Sequence, residues 1–123
     1  MLRLESDLFA VADAAARGRL DTVHVRWSPE PAVCVVMTPG GYPGEYETGN
    51  VITGIESVDS DVQVFQAGTK LAGGRLVTSG GRTLVISARA PTIREARARV
   101  YDNIRRISFK DAHYRTDIAL EAE

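Results

Sequence analysis

Fourteen residues from Gly40 to Thr53, GGYPGEYETGNVIT, constrain this chain more than any other stretch. They follow an apolar run, Ala32-Val-Cys-Val-Val-Met37, and lead out through Val51-Ile-Thr-Gly54. Glycine accepts positive φ and proline fixes φ at about −65°, so a segment built this way can hold one shape without long side chains bracing it. Two tyrosines, Tyr42 and Tyr46, sit in a segment otherwise poor in large groups. That suits a surface which contacts something; it also suits an ordered connection whose tyrosines lean back on a sheet.

The apolar run before the loop is nearly continuous, which predicts a central strand covered on both faces, with Cys34 a buried thiol acting as a small hydrophobe. Upstream, Thr22-Val-His-Val-Arg-Trp27 alternates apolar and polar residues and reads as a half-buried strand, with His24 on its polar side as an exposed structural histidine. Ser28-Pro-Glu-Pro31 breaks it. Downstream, Val62, Val64 and Phe65 mark another strand. Lys70 to Val77 reads as a hairpin turning at Gly73-Gly74, and Thr78-Ser-Gly-Gly81 is a second turn into Arg82–Ala88. The expected sheet uses segments near 22–27, 32–38, 62–67, 69–78 and 82–89.

Two helices complete the pattern. Leu4, Leu8, Val11, Ala12 and Ala15 are spaced for one helical face over about residues 6–17, with Ser6 as N-cap and Gly18 as stop. Met1-Leu2-Arg3 runs straight into this helix, as in a domain cut from something longer. After Pro91, Thr92 and Glu95 form a T-x-x-E capping box, and Ile93, Ala96, Val100, Ile104 and Ile107 form a stripe that packs on a sheet over 92–107. The opposite face carries Arg94, Arg97, Arg99, Arg105 and Arg106 and reads as a solvated face. In the tail, Tyr114, Arg115 and Asp117 are placed to bond back to the domain or to line a site. His113, near Asp111 and Asp117, lacks a partner nucleophile.

Composition narrows the function classes. The 123 residues suit one domain able to bury about two thirds of its unfolded surface. A net charge of −1 supplies no field that would recruit nucleic acid or an anionic membrane. The arginines of the second helix ring its polar side without a row of exposed aromatics for stacking, so a salt-sensitive nucleic-acid binder is the weaker reading. No apolar run approaches the roughly 20 residues of a membrane span, no leader is visible, and a soluble, cytoplasmic protein is expected. There is no P-loop, no metal-spaced His, Cys or carboxylate cluster, and no nucleophile–base pair.

Taken in order, six patterns resemble one family. They are Arg3-Leu-Glu-Ser-Asp-Leu8, Gly40-Gly-Tyr-Pro-Gly-x-Tyr46, Gly49-x-Val-Ile-x-Gly54, Phe65-x-Ala-Gly-Thr-Lys-Leu71, Thr78-x-Gly-Gly-Arg82 and His113-Tyr-Arg-x-Asp-Ile118. Together they resemble the C-terminal part of the phosphoribosylamine–glycine ligases, or glycinamide ribonucleotide synthetases, of the ATP-grasp family. The resemblance implies an α+β fold, a small, mostly antiparallel sheet with a packed helix, similar to the C-terminal domain of biotin carboxylase. Residues 1–20 would be the helix linking from the ATP-grasp domain and 21–123 the C-terminal domain. The implied enzyme is cytoplasmic, acts in de novo purine synthesis, and joins glycine to phosphoribosylamine using ATP with Mg²⁺ or Mn²⁺. Its metal-binding Glu and Asn and its Arg-x-Gly-Asp-Pro-Glu motif lie before the segment matching Met1, and its ATP-binding lysines lie further upstream.

By the same resemblance, this chain closes the substrate cleft beside the N-terminal and ATP-grasp domains. It would hold no catalytic residue, metal or ATP and would be inactive alone. The Gly40–Tyr46 loop and the Gly80-Gly-Arg82 turn would face the cleft. Arg82 is the candidate for the sugar phosphate, since a guanidinium binds phosphate bidentately. Gly68 and Thr69, ending Ala67-Gly-Thr, would add backbone and hydroxyl contacts, with Gly81 beside Arg82 and Tyr42 shaping the wall. Three positions depart from the family pattern: Gln66, where His is frequent; Ala88-Arg-Ala-Pro91, where a glycine-containing link is common; and Ala119, where Gly usually follows Asp-Ile. A stand-alone interaction module derived from the same domain is the alternative.

Overall fold

In the computed structural model, which describes residues 1–122, the chain runs through α1 (Leu8–Ala16), β1 (Ala32–Pro39), β2 (Gln63–Gln66), β3 (Thr69–Ala72), β4 (Arg75–Thr78), β5 (Leu84–Arg89), α2 (Ile93–Ile104) and β6 (Ala112–His113). At its centre β1 and β5 pair antiparallel from Ala32 opposite Arg89 to Met37 opposite Leu84. With β2 on the far side of β5 and the short β6 on the far side of β1, they form a four-stranded sheet in the order β2-β5-β1-β6. The β3–β4 hairpin is a separate two-stranded sheet, turning at Gly73-Gly74 as the sequence predicts. The fold is α+β and antiparallel, but with two sheets where one was expected.

Helix α2 covers one face of the larger sheet. Thr92 accepts from Glu95 N and the Glu95 carboxylate accepts from Thr92 N, so the capping box is closed on both sides. Ala96, Val100 and Ile104 are fully buried against Val33, Val35 and Met37 of β1 and Leu84, Ile86 and Ala88 of β5. Ile107 remains in this core although the helix ends at Ile104, three residues before the predicted limit. Asn103, also buried, accepts from Asp59 N at 2.8 Å and donates to Asp59 Oδ2 and to Arg99 O. Arg106 adds two bonds to the same carboxylate, and with Asn103 it holds the Asp59 carboxyl below its usual range.

The polar face of α2 is more than a solvated surface. Arg97 donates to Ile118 O and Thr116 O, and its guanidinium lies 4.6 Å from the centre of the Tyr101 ring. Arg99 reaches Asp61 and Arg89 O. Tyr101 Oη donates to Arg115 O at 2.7 Å and accepts from Ile118 N. These bonds, with the pairing of His113 and Ala112 to Thr38 and Pro39, anchor the tail as expected.

Four local expectations fail. Residues 22–27 form no strand: Leu20–Thr22 is a 3-10 turn, and only Trp27 bridges, to Leu4. A strand needs a ladder, and here Arg3–Glu5 exchanges two backbone bonds with this stretch, Glu5 N to Arg26 O and Ser28 N to Arg3 O. The N-cap of α1 is Asp7, accepting from Phe9 N and Ala10 N, while Ser6 accepts from Arg26 N. The apolar face predicted for α1 is not packed: Leu8, Ala12 and Ala15 are exposed, and the helix's buried residue, Ala14, lies off that face. β1 alternates buried and open positions instead of being covered on both sides, so Cys34 is exposed.

Ala119 has φ of 56°, so the left-handed backbone that a glycine would adopt freely survives in a residue with a Cβ. A left-handed L-residue costs about 1–2 kcal/mol, and glycine gives back about 0.5–1 kcal/mol in unfolded-chain entropy. Ala119→Gly is therefore expected to stabilise the chain by up to about 1 kcal/mol. Urea unfolding would show a higher midpoint with an unchanged slope; a lower midpoint would contradict this backbone assignment.

Candidate functional site

The chain leaves the larger sheet at Gln66 and enters the hairpin at Thr69, and Gly68 is where it crosses the turn before β5. Gly68 N donates to Arg82 O at 2.8 Å and Thr83 O at 3.2 Å, and Gly68 O accepts from Ser79 N and Gly80 N. A Cβ at Gly68 would stand 2.8 Å from Arg82 O and 2.8 Å from Gly80 Cα, closer than such atoms approach. The crossing requires a residue without a side chain. Thr83 closes the turn below, through Oγ1 to Gly80 O and N to Met37 O.

The tyrosine loop is fastened to the same place. Gly49 N and Asn50 N donate to Thr78 O and Thr78 Oγ1, Thr78 N donates to Asn50 O, and Ile52 N donates to Leu76 O, so the second half of the loop runs along β4. Its first half carries Tyr42, preceding a cis peptide bond to Pro43, and Tyr46, with ring centres 5.9 Å apart. The edge of the Tyr42 ring lies where a Cβ on buried Gly81 would be, and the Tyr46 hydroxyl is 3.2 Å from that point. The tyrosines thus lean on the Gly80–Arg82 turn while each keeps about two fifths of its surface exposed.

Tyr42, Gly68, Thr69, Gly81 and Arg82, scattered over 41 positions of sequence, are brought together by this crossing. The Thr69 hydroxyl donates to Gln66 Oε1 at 3.1 Å, so the departure at Gln66 supplies an acceptor. The Arg82 side chain is exposed and, among the described residues, has no hydrogen-bond or ion-pair partner. It borders a cavity of about 370 Å³ with Tyr42, Thr38, His113, Tyr114 and Arg115. Arg115 is paired with Asp117 at 2.6 Å, which raises the guanidinium's pKa and lowers that of the carboxyl. Arg82 is therefore the uncompensated charge of this cavity. Thr38 was not singled out by sequence; every second residue of β1 from Ala32 points to this side, a signal hidden because most are apolar.

A polar hollow of about 310 Å³ lies on the other side of the loop, between Glu45, Tyr46, Glu47, Lys110 and Asp111. There Lys110 pairs with Glu47 at 2.7 Å, and that hydrogen bond raises the lysine's pKa.

Residues 32–121 match the family described as Phosphoribosylglycinamide synthetase, C domain. The chain belongs to this family. It is 45% identical to the phosphoribosylamine–glycine ligase of Brucella melitensis and 45% identical to that of Allochromatium vinosum, over 99% of its own length and 29% of theirs in each case. A crystal structure of the Thermotoga maritima phosphoribosylamine–glycine ligase is similar over 70% of this chain and 21% of that one, with a TM-score of 0.63 and 36% identity. The chain thus spans under a third of the length of the curated relatives it matches.

No group of three His, Cys, Asp or Glu side chains comes together among the described residues. The amides of Ser79 and Gly80 in the glycine turn are spent on Gly68 O and are not free to hold an anion. The site can offer a guanidinium, hydroxyls and aromatic walls.

Two glycines of the site should respond differently to a methyl group. At Gly68 it meets backbone that cannot yield, and Gly68→Ala is expected to cost more than about 2 kcal/mol. At Gly81 it meets a half-exposed ring that can swing out, so Gly81→Ala should cost about 1 kcal/mol and add little further loss in a Tyr42→Ala background. Equal losses in chemical denaturation would refute this division.

Proposed function

We propose that this chain is the closing domain of an ATP-dependent phosphoribosylamine–glycine ligase of purine synthesis, a cytoplasmic enzyme. The observation that carries the reading is the family match across residues 32–121, joined to relatives of that name over nearly the whole chain. Residues 1–20 link it to the ATP-grasp domain and 21–123 form the domain itself. In that reaction glycine is activated as glycyl phosphate with release of ADP, and the amine of phosphoribosylamine displaces phosphate to form the amide. ATP and Mg²⁺ or Mn²⁺ are assigned to the other domains; among the described residues no group of three His, Cys, Asp or Glu side chains could hold a metal ion.

The contribution of this domain is positional. Arg82 holds the phosphate of phosphoribosylamine: its guanidinium is exposed and uncompensated beside an open cavity. Tyr42 forms the wall next to it, and Thr69 offers hydroxyl lone pairs from the same crossing. Gly68 and Gly81 act by permitting close approach. The N–H of Gly68 is already bonded, so it contributes shape and no donor to the substrate.

Two measurements test this. Alone, with ATP, magnesium, glycine and phosphoribosylamine, the chain should release no ADP and form no glycinamide ribonucleotide. Joined to the remainder of the Allochromatium vinosum ligase, it should turn over. In that active protein Arg82→Ala removes a charge-assisted bond worth about 1.5–3 kcal/mol, raising KM for phosphoribosylamine by about 10- to 100-fold with little change in kcat. An unchanged KM removes Arg82 from the phosphate site.

A further inference from the structure

The larger sheet has a second face, and it is not built for water. A half-covered antiparallel sheet ordinarily carries polar side chains outward. Here, opposite α2, Phe65 of β2 pairs across with Val85 of β5 and Val85 with Val36 of β1, while Ser87 stands between Gln63 and Cys34. Phe65 is 46% exposed and Trp27 54% exposed. With Leu2, Ala32, Cys34 and Val85 they line an open trough of about 500 Å³. Exposed apolar surface gathered in one place marks a contact surface.

The N-terminal segment leaves other apolar groups without cover. Helix α1 buries Ala14 alone and exposes Leu8 and Phe9, and a nine-residue helix has little stability of its own. Met1 and Leu2 themselves border the trough, so any segment joined to residue 1 leaves from its rim. The curated ligases extend well beyond the 29% of their length that this chain matches.

We propose that the open face of the four-stranded sheet, with Trp27 and the first residues at its rim, is the seat of the catalytic portion of the ligase, which covers Phe65, Val85 and Cys34. The proposal rests on the functional reading above and adds the surface through which this domain is held. The trough then buries its apolar floor at the domain contact. The end of the same face that carries Tyr42, Arg82 and His113 stays open to substrate.

Cys34, the chain's single cysteine, lies on the floor of the trough and reports on its cover. Its rate of modification by a maleimide is compared between the 123-residue chain and the chain joined to the remainder of the Allochromatium vinosum ligase, with that portion's cysteines replaced by serine. Joining should slow the reaction at least tenfold. Phe65→Glu should restore fast modification in the joined protein while leaving the rate and the thermal midpoint of the isolated chain unchanged.

A joined protein that is active yet modified as fast as the isolated chain overturns the seat and leaves the ligase reading standing. Protection without activity supports the seat and removes the ligase reading; neither protection nor activity removes both. Slow modification of the isolated chain that speeds up on dilution makes a second copy the occupant, which also overturns the proposal.

Discussion

The crossing of Gly68 over the Gly80–Arg82 turn is the contact on which the candidate site depends. Four backbone hydrogen bonds converge on one residue with no side chain, two donated by its amide and two accepted by its carbonyl. They join the larger sheet to the hairpin, because β2 ends just before Gly68 and β3 begins just after it. They also fix the turn from which Arg82 projects and against which Tyr42 rests. A neutral backbone bond contributes about 1 kcal/mol net, so the strength of the arrangement lies less in any one bond than in the lack of room for alternatives. With Gly68 and Gly80 this close, the two chain segments can be displaced only together.

Local chemistry was legible in the sequence, and the parts that were read correctly share a cause. The Thr92–Glu95 capping box, the Gly73-Gly74 hairpin and the stop at Gly18 are decided by neighbours within a few positions. The buried stripe of α2 follows from its spacing. What failed was decided at long range. The run Ala32–Met37 contains apolar residues at every position, so nothing in it distinguishes the face under α2 from the open one. Thr22–Trp27 has strand-like alternation but no ladder to join. Leu8 and Val11 have helical spacing without any surface among the described residues to receive Leu8.

The candidate site shows the same division. Glycine and tyrosine patterns, with the family resemblance, singled out Tyr42, Gly68, Thr69, Gly81 and Arg82 as candidates, but not the backbone crossing that draws them together. Thr38 and the Cys34 side of β1 escaped notice because residues of ordinary strand composition reveal their face only when the sheet is assembled. The arginines of α2 were read as solvated, and in isolation they would be. Exposed ion pairs contribute little, about 0–1 kcal/mol. Arg97 and Arg106 nevertheless also donate to backbone carbonyls at Thr116, Ile118 and Ser57, which fixes the position of chain segments that have few apolar anchors.

These readings meet on the open face of the sheet. A strand with apolar residues on both sides is expected where both sides are covered, and β1 departs from that rule by leaving Ala32 and Cys34 open. The core under α2 is complete without any partner: Met37, Leu84, Ile86, Val100 and Ile104 are wholly enclosed. The uncovered side has the composition of an interior and the exposure of a surface. On the proposed seat, the mismatch between apolar pattern and exposure at Cys34, Phe65 and Trp27 is the trace of a contact with other domains.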